Sequence, residues 1–450
     1  MIYRNLIVAA LLLIPLSASA AGLTEVADLV VRRSPALRGA RSGARAAKSA
    51  LWEARAMSLP HIAARSSIMR GDNPLFVFGS RLEQRAAEQR DFDIMNLNQP
   101  GYRTNIKTAL EVGMPLFTAY QLHSYRRMGR LAVTEAESRA EGAEQMKLYQ
   151  AVESHLGVLL ETARFAMLEE RVKSAETMAD DTRRLKKKGL VLGSDFYAAE
   201  AILGKLRAER TQARYRLEAS RARLAVLTGT APGELKPAGA LLPGTYSLPP
   251  EAELVDRSLR DRRDLRMARV RTSQAETAQR QSSMSLLPTV EAFAAVETAT
   301  TDFDRNLASR ILGVRARLPF GDPAYIPRRA RAKAQVEASR SLAEEQADAV
   351  RMELAGARAG FNGVAESLPT VQWMLEQARM SLKLFRPLYL EGRQSVMEVL
   401  RAEDALAQAE DAYLQTLYHL HAGYARLMLT AGGLDRGVVA KIADSLEAVR

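Results

Sequence analysis

Residues 189–229 read GLVLGSDFYAAEAILGKLRAERTQARYRLEASRARLAVLTG, and residues 392–432 read GRQSVMEVLRAEDALAQAEDAYLQTLYHLHAGYARLMLTAG. The two stretches align without a gap at an offset of 203 residues, and 12 of 41 positions are identical. In each copy a glycine precedes a long apolar-periodic helix and a second glycine ends it, at Gly189 and Gly229 and again at Gly392 and Gly432. A repeat of this size predicts one structural unit used twice in the chain.

The first 20 residues have the pattern of a secretory signal peptide. Arg4 supplies the positive charge, Leu6–Leu16 is apolar, and Ala18-Ser19-Ala20 is a small-residue cleavage site that predicts a cut before Ala21. The alternative, a transmembrane anchor, is disfavoured because the apolar stretch has about 11 residues and a spanning helix needs roughly 20. The chain has no cysteine, which excludes a lipid-attachment cysteine, disulfides and thiolate chemistry.

The chain is basic, with 64 Lys and Arg against 52 Asp and Glu. Removal of Arg4 with the signal peptide leaves 63 basic residues and a net charge of +11. A basic balance can indicate nucleic-acid binding. Here the charges of both signs are interleaved along helical stretches, and the chain is predicted to be exported, so solvated helix faces are the favoured interpretation and no nucleic-acid partner is expected.

The first copy, residues 21–228, is predicted to run helix, strand, loop, strand, long helix, tip, helix. The opening helix is expected over Leu23–Ser58, before Pro60, and a polar loop over Arg70–Tyr102. The remaining predicted elements are strands at about 60–70 and 103–117, a long helix at about 119–187, a tip at about 188–194 and a helix at about 194–228.

The second copy, residues 251–433, follows the same plan after a Pro/Gly-rich linker at 229–250. Its opening helix is expected over Glu251–Ser283, and Pro369 and Pro387 are expected to bend its long helix. The other predicted elements are strands at about 288–298 and 310–320, a long helix at about 324–390, a tip at about 391–396 and a helix at about 396–431. Residues 434–450 form a C-terminal tail that is either a short helix or disordered.

The four strands alternate apolar with polar residues, as a membrane barrel wall requires. Four strands cannot close a barrel, and an open edge is not tolerated in lipid. Several chains are therefore expected to pool their strands, and three chains would give twelve. Alternation places five charged residues on the face that would line the lumen: Lys107, Glu111, Glu291, Arg315 and Arg317. A small soluble sheet that caps a helical bundle is the alternative.

The length of the long helices predicts a second, elongated part of the assembly. About 68 residues at 1.5 Å per residue give roughly 100 Å. The fold class predicted is mainly α with a small β part: an internally duplicated helix–strand–strand–helix–helix unit whose trimer forms a 12-stranded outer-membrane β-barrel continuous with a long α-helical barrel.

The chain resembles the TolC family of outer-membrane efflux proteins over essentially its whole mature length. The specific part is the pair of tip motifs, Gly189-Leu190-Val191-Leu192-Gly193-Ser194-Asp195 and the stretch from Tyr389 to Leu400. The resemblance implies a homotrimer in the outer membrane of a Gram-negative bacterium, with its tunnel in the periplasm. It also implies docking onto a periplasmic adaptor (a membrane fusion protein) and an inner-membrane pump.

The resemblance also implies a periplasmic gate. Asp195 and Tyr389 occupy the positions of a hydrogen-bonded pair between neighbouring hairpins. Ser194 occupies a hydroxyl position whose usual partner is an arginine, and in this chain Gln394 stands at that partner position. Glu398 occupies an acidic position that rings the pore, and Arg401, three residues on, is placed to pair with it. Ser194 or Asp195 could instead be a helix N-cap, and Tyr389 a packing aromatic.

The tips themselves are expected to meet the adaptor. The predicted contact residues are Gly189, Leu190, Gly392 and Arg393, and Gly189 and Gly392 are also predicted left-handed helix caps.

No catalytic or cofactor-binding motif is found, neither a phosphate loop, H-E-x-x-H nor G-x-S-x-G, and no cofactor or metal is expected. His419 and His421 point to different helix faces and make a poor metal pair. The predicted function is a passive exit duct for small molecules or polypeptides and not an enzyme. The alternative is a periplasmic coiled-coil adaptor or structural protein, which the presence of two hairpins and only four alternating strands disfavours.

Overall fold

The computed structural model describes residues 19–189, 191–302, 308–391 and 393–447. Of the predicted signal peptide, residues 1–18 lie outside this range. The described chain divides into two compact units, one built from 19–41, 138–266 and 345–447, and the other from 42–137 and 267–344.

The described part of the chain is mainly helical. The helices are α1 (Leu23–Arg33), α2 (Pro35–Ala56), α3 (Pro74–Glu83), α4 (Ile94–Asn98), α5 (Gln121–Lys187), α6 (Gly193–Thr228), α7 (Glu251–Asp261), α8 (Arg263–Ser283), α9 (Tyr325–Leu390), α10 (Val396–Thr430) and α11 (Arg436–Leu446). The strands are β1 (Ser19–Ala21), β2 (His61–Gly71), β3 (Arg103–Thr118), β4 (Leu235–Pro237), β5 (Thr289–Thr300) and β6 (Ala308–Arg317). None of the described helices is both long and apolar enough to cross a membrane.

The same order of elements occurs twice. In the first half β2 and β3 precede the 67-residue α5 and the 36-residue α6. In the second half β5 and β6 precede the 66-residue α9 and the 35-residue α10. The two halves thus have the same order of two strands, a long helix and a shorter helix.

The two opening helices differ from the prediction, because each is broken into two. The first break is at Ser34, whose backbone is extended, since the following Pro35 has no N–H and disfavours the helical conformation of the residue before it. The second break is at Arg262, also extended, in a stretch without proline. There the guanidinium contacts Asp264 at 2.5 Å and Glu353 at 2.5 Å.

The segment between β2 and β3 is also more ordered than the predicted polar loop. It contains α3, a short 3-10 helix at Gln89–Phe92 and α4. Asn73 caps α3, since its Oδ1 accepts from the backbone N–H groups of Leu75 and Phe76, and Pro74 starts the helix.

Two further predictions concern α9 and the C-terminal tail. The helix α9 continues through Pro369 and Pro387, so neither proline ends it. The tail contains the helix α11, which buries Val439, Ile442 and Leu446. The two alternatives for the tail thus resolve to a packed helix over most of its length.

Four strands form one antiparallel sheet in the order β2-β3-β5-β6. In its register Glu111 pairs with Ala63 and Ala295, and Glu291 pairs with Arg315. Paired residues share a face, and faces alternate along each strand. The register therefore assigns every strand residue to one of two faces.

The unit that contains both helical hairpins has the larger core. Side chains of α1, α5, α6, α10 and α11 pack there. Leu224 of α6 and Leu427 of α10 occupy equivalent positions of the repeat and are both buried. The apolar residues that recur along these helices thus pack the helices against one another.

Two buried histidines hold the linker against the long helices. The Nε2 of His155 on α5 donates to the carbonyl of Ala238 at 3.1 Å, and that of His421 on α10 donates to the carbonyl of Leu242 at 2.9 Å. The Nδ1 of His421 accepts from the hydroxyl of Tyr246 at 2.5 Å. Burial lowers the pKa of both imidazoles, that of His155 to about 4, so both are neutral at pH 7.

We expect acid to destabilise this unit through His155. The unfolded chain takes up the proton below about pH 6.5 and the folded chain only near pH 4, so stability is complete above pH 6.5 and falls as the pH decreases. Between pH 7.5 and 5 this is about 2 kcal/mol of the free energy of unfolding. His155→Gln, which keeps a donor but does not titrate, should flatten the dependence of thermal unfolding on pH. The exposed His419→Gln is the control; an unchanged slope in His155→Gln would exclude this assignment.

Candidate functional site: the hairpin ends and the charged sheet face

The first hairpin turns between α5 and α6. Gly189 has a φ of +72°, a left-handed conformation, and its N–H donates to the carbonyl of Lys186 at 3.0 Å. The Nζ of Lys186 lies 4.3 Å from the centre of the Phe196 ring. Leu190, predicted as a tip residue, lies outside the described residues.

Ser194 and Asp195 do not cap α6, in contrast to one of the two interpretations of the sequence. The helix begins at Gly193, one residue earlier than expected, and its N-cap residue Leu192 has no side chain that can cap. Asp195 lies in the first turn, where a carboxylate interacts favourably with the helix dipole. In the second hairpin the cap is Ser395, whose Oγ accepts from the Met397 N–H at 3.1 Å.

Tyr389 joins the two hairpins, but through a partner that the sequence did not predict. Its hydroxyl lies 2.6 Å from the Oγ1 of Thr182 on α5, and both side chains are buried. Burial raises the pKa of Tyr389, and the nearby carboxylates of Asp181 and Asp195 act in the same direction. Asp195 is thus close enough to act on the phenol electrostatically, while the hydrogen bond goes to Thr182.

The ends of the two hairpins also share a small apolar cluster. Tyr389 packs there with Met178, Val396, Val399 and Leu400. The phenol therefore serves as a packing aromatic and a hydrogen-bonding group at once.

The remaining predicted gate and tip residues are mostly exposed. The Nη1 of Arg401 lies 2.7 Å from the Oε1 of Glu398, and the arginine side chain is 72% exposed. Ser194 and Gln394 are exposed, and their side chains make no hydrogen bond to other described residues. Arg393 is exposed and contacts Glu391 at 3.4 Å, and Gly392 lies outside the described residues.

Polar contacts further from the tips also join α5 to α10, and the sequence did not indicate them. The Oγ of Ser174 donates to the Oε1 of Glu403 at 2.9 Å, and Glu403 is only 6% exposed. The guanidinium of Arg164 contacts Asp411 at 2.6 Å. Glu403 corresponds to Glu200 of the first copy. That both copies have glutamate at this position is the only feature of the sequence that could have pointed to Glu403 as a contact residue.

The sheet of β2, β3, β5 and β6 has one charged face. Register and alternation place on it the five residues predicted to line a lumen, Lys107, Glu111, Glu291, Arg315 and Arg317. Glu297 and His61 belong to the same face. We call this surface the charged face.

Opposite charges pair along the charged face. The Nζ of Lys107 lies 2.9 Å from Glu297 and 3.2 Å from Glu83. Glu291 lies 3.9 Å from Arg315. A path along this surface would therefore meet charges of both signs.

The other face is largely apolar and is exposed. Ile62 is 70% exposed, Ile68 67%, Leu312 86% and Val314 65%. A soluble sheet buries its apolar face, so a four-stranded sheet that exposes it requires another covering medium.

Comparisons with known proteins agree with this arrangement. Residues 254–433 match the family model described as outer membrane efflux protein. The chain resembles the outer membrane efflux proteins of the TolC type. The sequence match covers residues 254–433, two-fifths of the chain, and the similarity of fold extends to more than nine-tenths of it.

Three solved structures define that fold. CusC superposes with a TM-score of 0.79 at 15% identity, covering 92% of this chain and 93% of its own. The outer membrane protein VceC of Vibrio cholerae gives 0.77 at 15%, covering 91% and 96%. The outer-membrane channel OprN gives 0.76 at 21%, covering 91% and 90%. None of the curated proteins matches the chain in sequence.

The predicted location in the outer membrane is confirmed by the match to the family model. The tip motifs that suggested the resemblance were therefore informative, although one of them, at 389–400, lies within the matched segment and the other, at 189–195, outside it.

Proposed function

We propose that the chain forms a passive trimeric exit duct in the outer membrane, which exports small molecules or polypeptides together with a periplasmic adaptor and an inner-membrane pump. The observation that carries the proposal is the open four-stranded sheet, charged on one face and apolar on the other. The fold of outer membrane channels, found for the chain as a whole, supports it.

The unpaired sheet edges support assembly from several copies of the chain. In one chain β2 and β6 each have one neighbour, so the sheet ends in two unpaired edges. Unpaired backbone groups are too costly in lipid to leave open. If β2 of one copy pairs with β6 of the next, three copies close a barrel of twelve strands, with the apolar faces toward lipid and the charged faces toward water.

The helical hairpins supply the rest of the duct. In this proposal the internally duplicated α5–α6 and α9–α10 hairpins form a periplasmic tunnel whose ends are the gate. The tip residues Gly189, Leu190, Gly392 and Arg393 meet the adaptor. Transport energy comes from the pump, since the duct itself supplies only a polar-lined path.

The test is reconstitution of the mature protein in a planar bilayer, with its mass in detergent measured in parallel. Discrete conductance steps from a trimer are the expected result. A soluble monomer without conductance would overturn the proposal and favour the periplasmic adaptor or structural protein.

The bond between Tyr389 and Thr182 should hold the gate closed. Tyr389→Phe removes it, at about 1 kcal/mol per chain, and should raise the open fraction and the mean conductance. Thr182→Val removes the same bond from the other side, so the two variants should behave alike and the double variant should add little. If all three variants conduct like the wild type, this bond does not hold the gate.

The ion pair between Arg401 and Glu398 should weaken the attraction of the gate for cations. Arg401→Gln frees the Glu398 carboxylate, and three such carboxylates around an axis attract cations. The reversal potential in a salt gradient should therefore shift toward cation preference. Glu398→Gln is the matched control and should shift it the other way; equal reversal potentials would show that neither side chain faces the pore.

A further inference from the structure

The segment between β2 and β3 does not extend away from the sheet. The carboxylate of Glu83, at the end of α3, accepts from the Nδ2 of Asn105 at 3.0 Å and from the Nζ of Lys107 at 3.2 Å. The next residue, Gln84, donates to the Oδ1 of Asn105 at 2.9 Å and to the carbonyl of Thr104 at 3.0 Å. The end of α3 is thus fixed to β3 by four polar contacts.

These contacts determine the face on which α3 lies. Asn105 and Lys107 alternate in phase with Glu111, so they belong to the charged face. Asn105 is 2% exposed and Gln84 is 9% exposed, so the contact excludes water. The helix therefore lies on the charged face and not on the apolar one.

Further contacts keep the segment in this position. Arg103 donates through Nε to the Oε1 of Gln84 at 2.8 Å, and the guanidinium of Arg85 donates to the carbonyl of Ala308 on β6 at 3.4 Å. Arg85 has a φ of +49°, an unfavourable conformation for arginine that the surrounding contacts must maintain. Within the segment, Arg81 pairs with the buried Asp91 at 2.5 Å.

The segment exposes several large apolar side chains, beside charged ones such as Glu88 and Arg90. Leu75 is 85% exposed, Ile94 72%, Met95 66% and Phe92 57%. The segment joins the ends of β2 and β3 that are opposite to the ends attached to α2 and α5. It therefore stands at the end of the sheet away from the long helices.

We propose that this segment, residues 72–102, is a constriction that limits the size of what leaves the duct at the outer end. The inference rests on the proposed function, because the charged face becomes the lumen only in the closed barrel. Three copies of the segment then stand around the axis, and their exposed apolar side chains cover one another. The polar contacts of Glu83 and Gln84 hold each copy inward.

Cysteine labelling tests the proposal, since the chain has no cysteine of its own. Glu111→Cys places one thiol on the charged face below the segment, and Val112→Cys places one on the apolar face. Intact cells are treated from outside with a small charged maleimide or a large polyethylene-glycol maleimide. The rates are compared in three forms of the chain: unchanged, Glu83→Ala/Gln84→Ala, and with residues 74–98 replaced by a short Gly/Ser connection.

In the Glu111→Cys variant the large reagent should react slowly when the segment is unchanged and about tenfold faster in both altered forms, while the rate of the small reagent stays the same. Because the double substitution keeps the chain length, it remains informative if the shortened chain does not assemble. Suppose that the ratio of the two labelling rates is the same in all three forms, while the thiol of Glu111→Cys is labelled and that of Val112→Cys is protected. This result would overturn the constriction and leave the barrel standing. Equal labelling of the two thiols would overturn the barrel and the constriction with it.

Discussion

Leu110→Lys should abolish assembly of the duct. Leu110 lies near the middle of β3 on the apolar face and is 50% exposed in one chain. In the proposed barrel the new ammonium would face lipid, which costs about 2–4 kcal/mol at the bilayer midplane for each copy. Since a trimer carries three copies, we expect loss of the detergent-stable trimer and of conductance, measured by mass in detergent and in a planar bilayer.

The neighbouring residue provides the matched control. Ala109→Lys adds the same side chain one position away, where alternation places it on the charged face. This variant should assemble as the wild type does, with altered conductance or ion preference. The proposed barrel would be wrong if both lysines were tolerated equally, or if only Ala109→Lys failed to assemble.

Gly432→Ala should have the second largest effect, on stability. Gly432 has a φ of +70°, and an added Cβ would lie 3.1 Å from the backbone nitrogen of Arg262 and the carbonyl carbon of Asp261. Left-handed strain and overpacking against a backbone that cannot easily move together cost about 3 kcal/mol. The midpoint of thermal unfolding of the purified protein should fall clearly.

The first copy of the repeat offers the control. Gly229 has a φ of +66°, but an added Cβ would meet only the Arg33 side chain at 3.6 Å. Gly229→Ala should therefore cost about 1 kcal/mol, from backbone strain alone. Equal losses for the two variants would show that the close approach of the α7–α8 junction to Gly432 contributes nothing.

These glycines show how far the sequence determines the helices. Their equivalent positions mark the end of a long helix in each copy, because only glycine readily adopts the left-handed conformation found there. The helix break at Ser34 could also be read from the sequence, from Pro35. The break at Arg262 could not, because it depends on contacts with Glu353, which is distant in the sequence, and on the backbone packed against Gly432.

The candidate site, like the helices, could be predicted from the sequence only in part. Alternation alone placed Lys107, Glu111, Glu291, Arg315 and Arg317 on one face, since the direction of a side chain from a strand follows from its position. Spacing along one helix likewise indicated the pairing of Glu398 with Arg401, because residues three apart are neighbours on its surface.

Only the tertiary structure decided the contacts between elements far apart in the chain. Tyr389 was recognised as a hydrogen-bonding residue, but its partner Thr182 lies 207 positions away and depends on how two hairpins pack. The position of α3 on the charged face depends on Glu83 meeting Asn105 across a turn that local pattern does not specify. Local periodicity thus determined the elements and their faces, whereas packing determined which side chains meet.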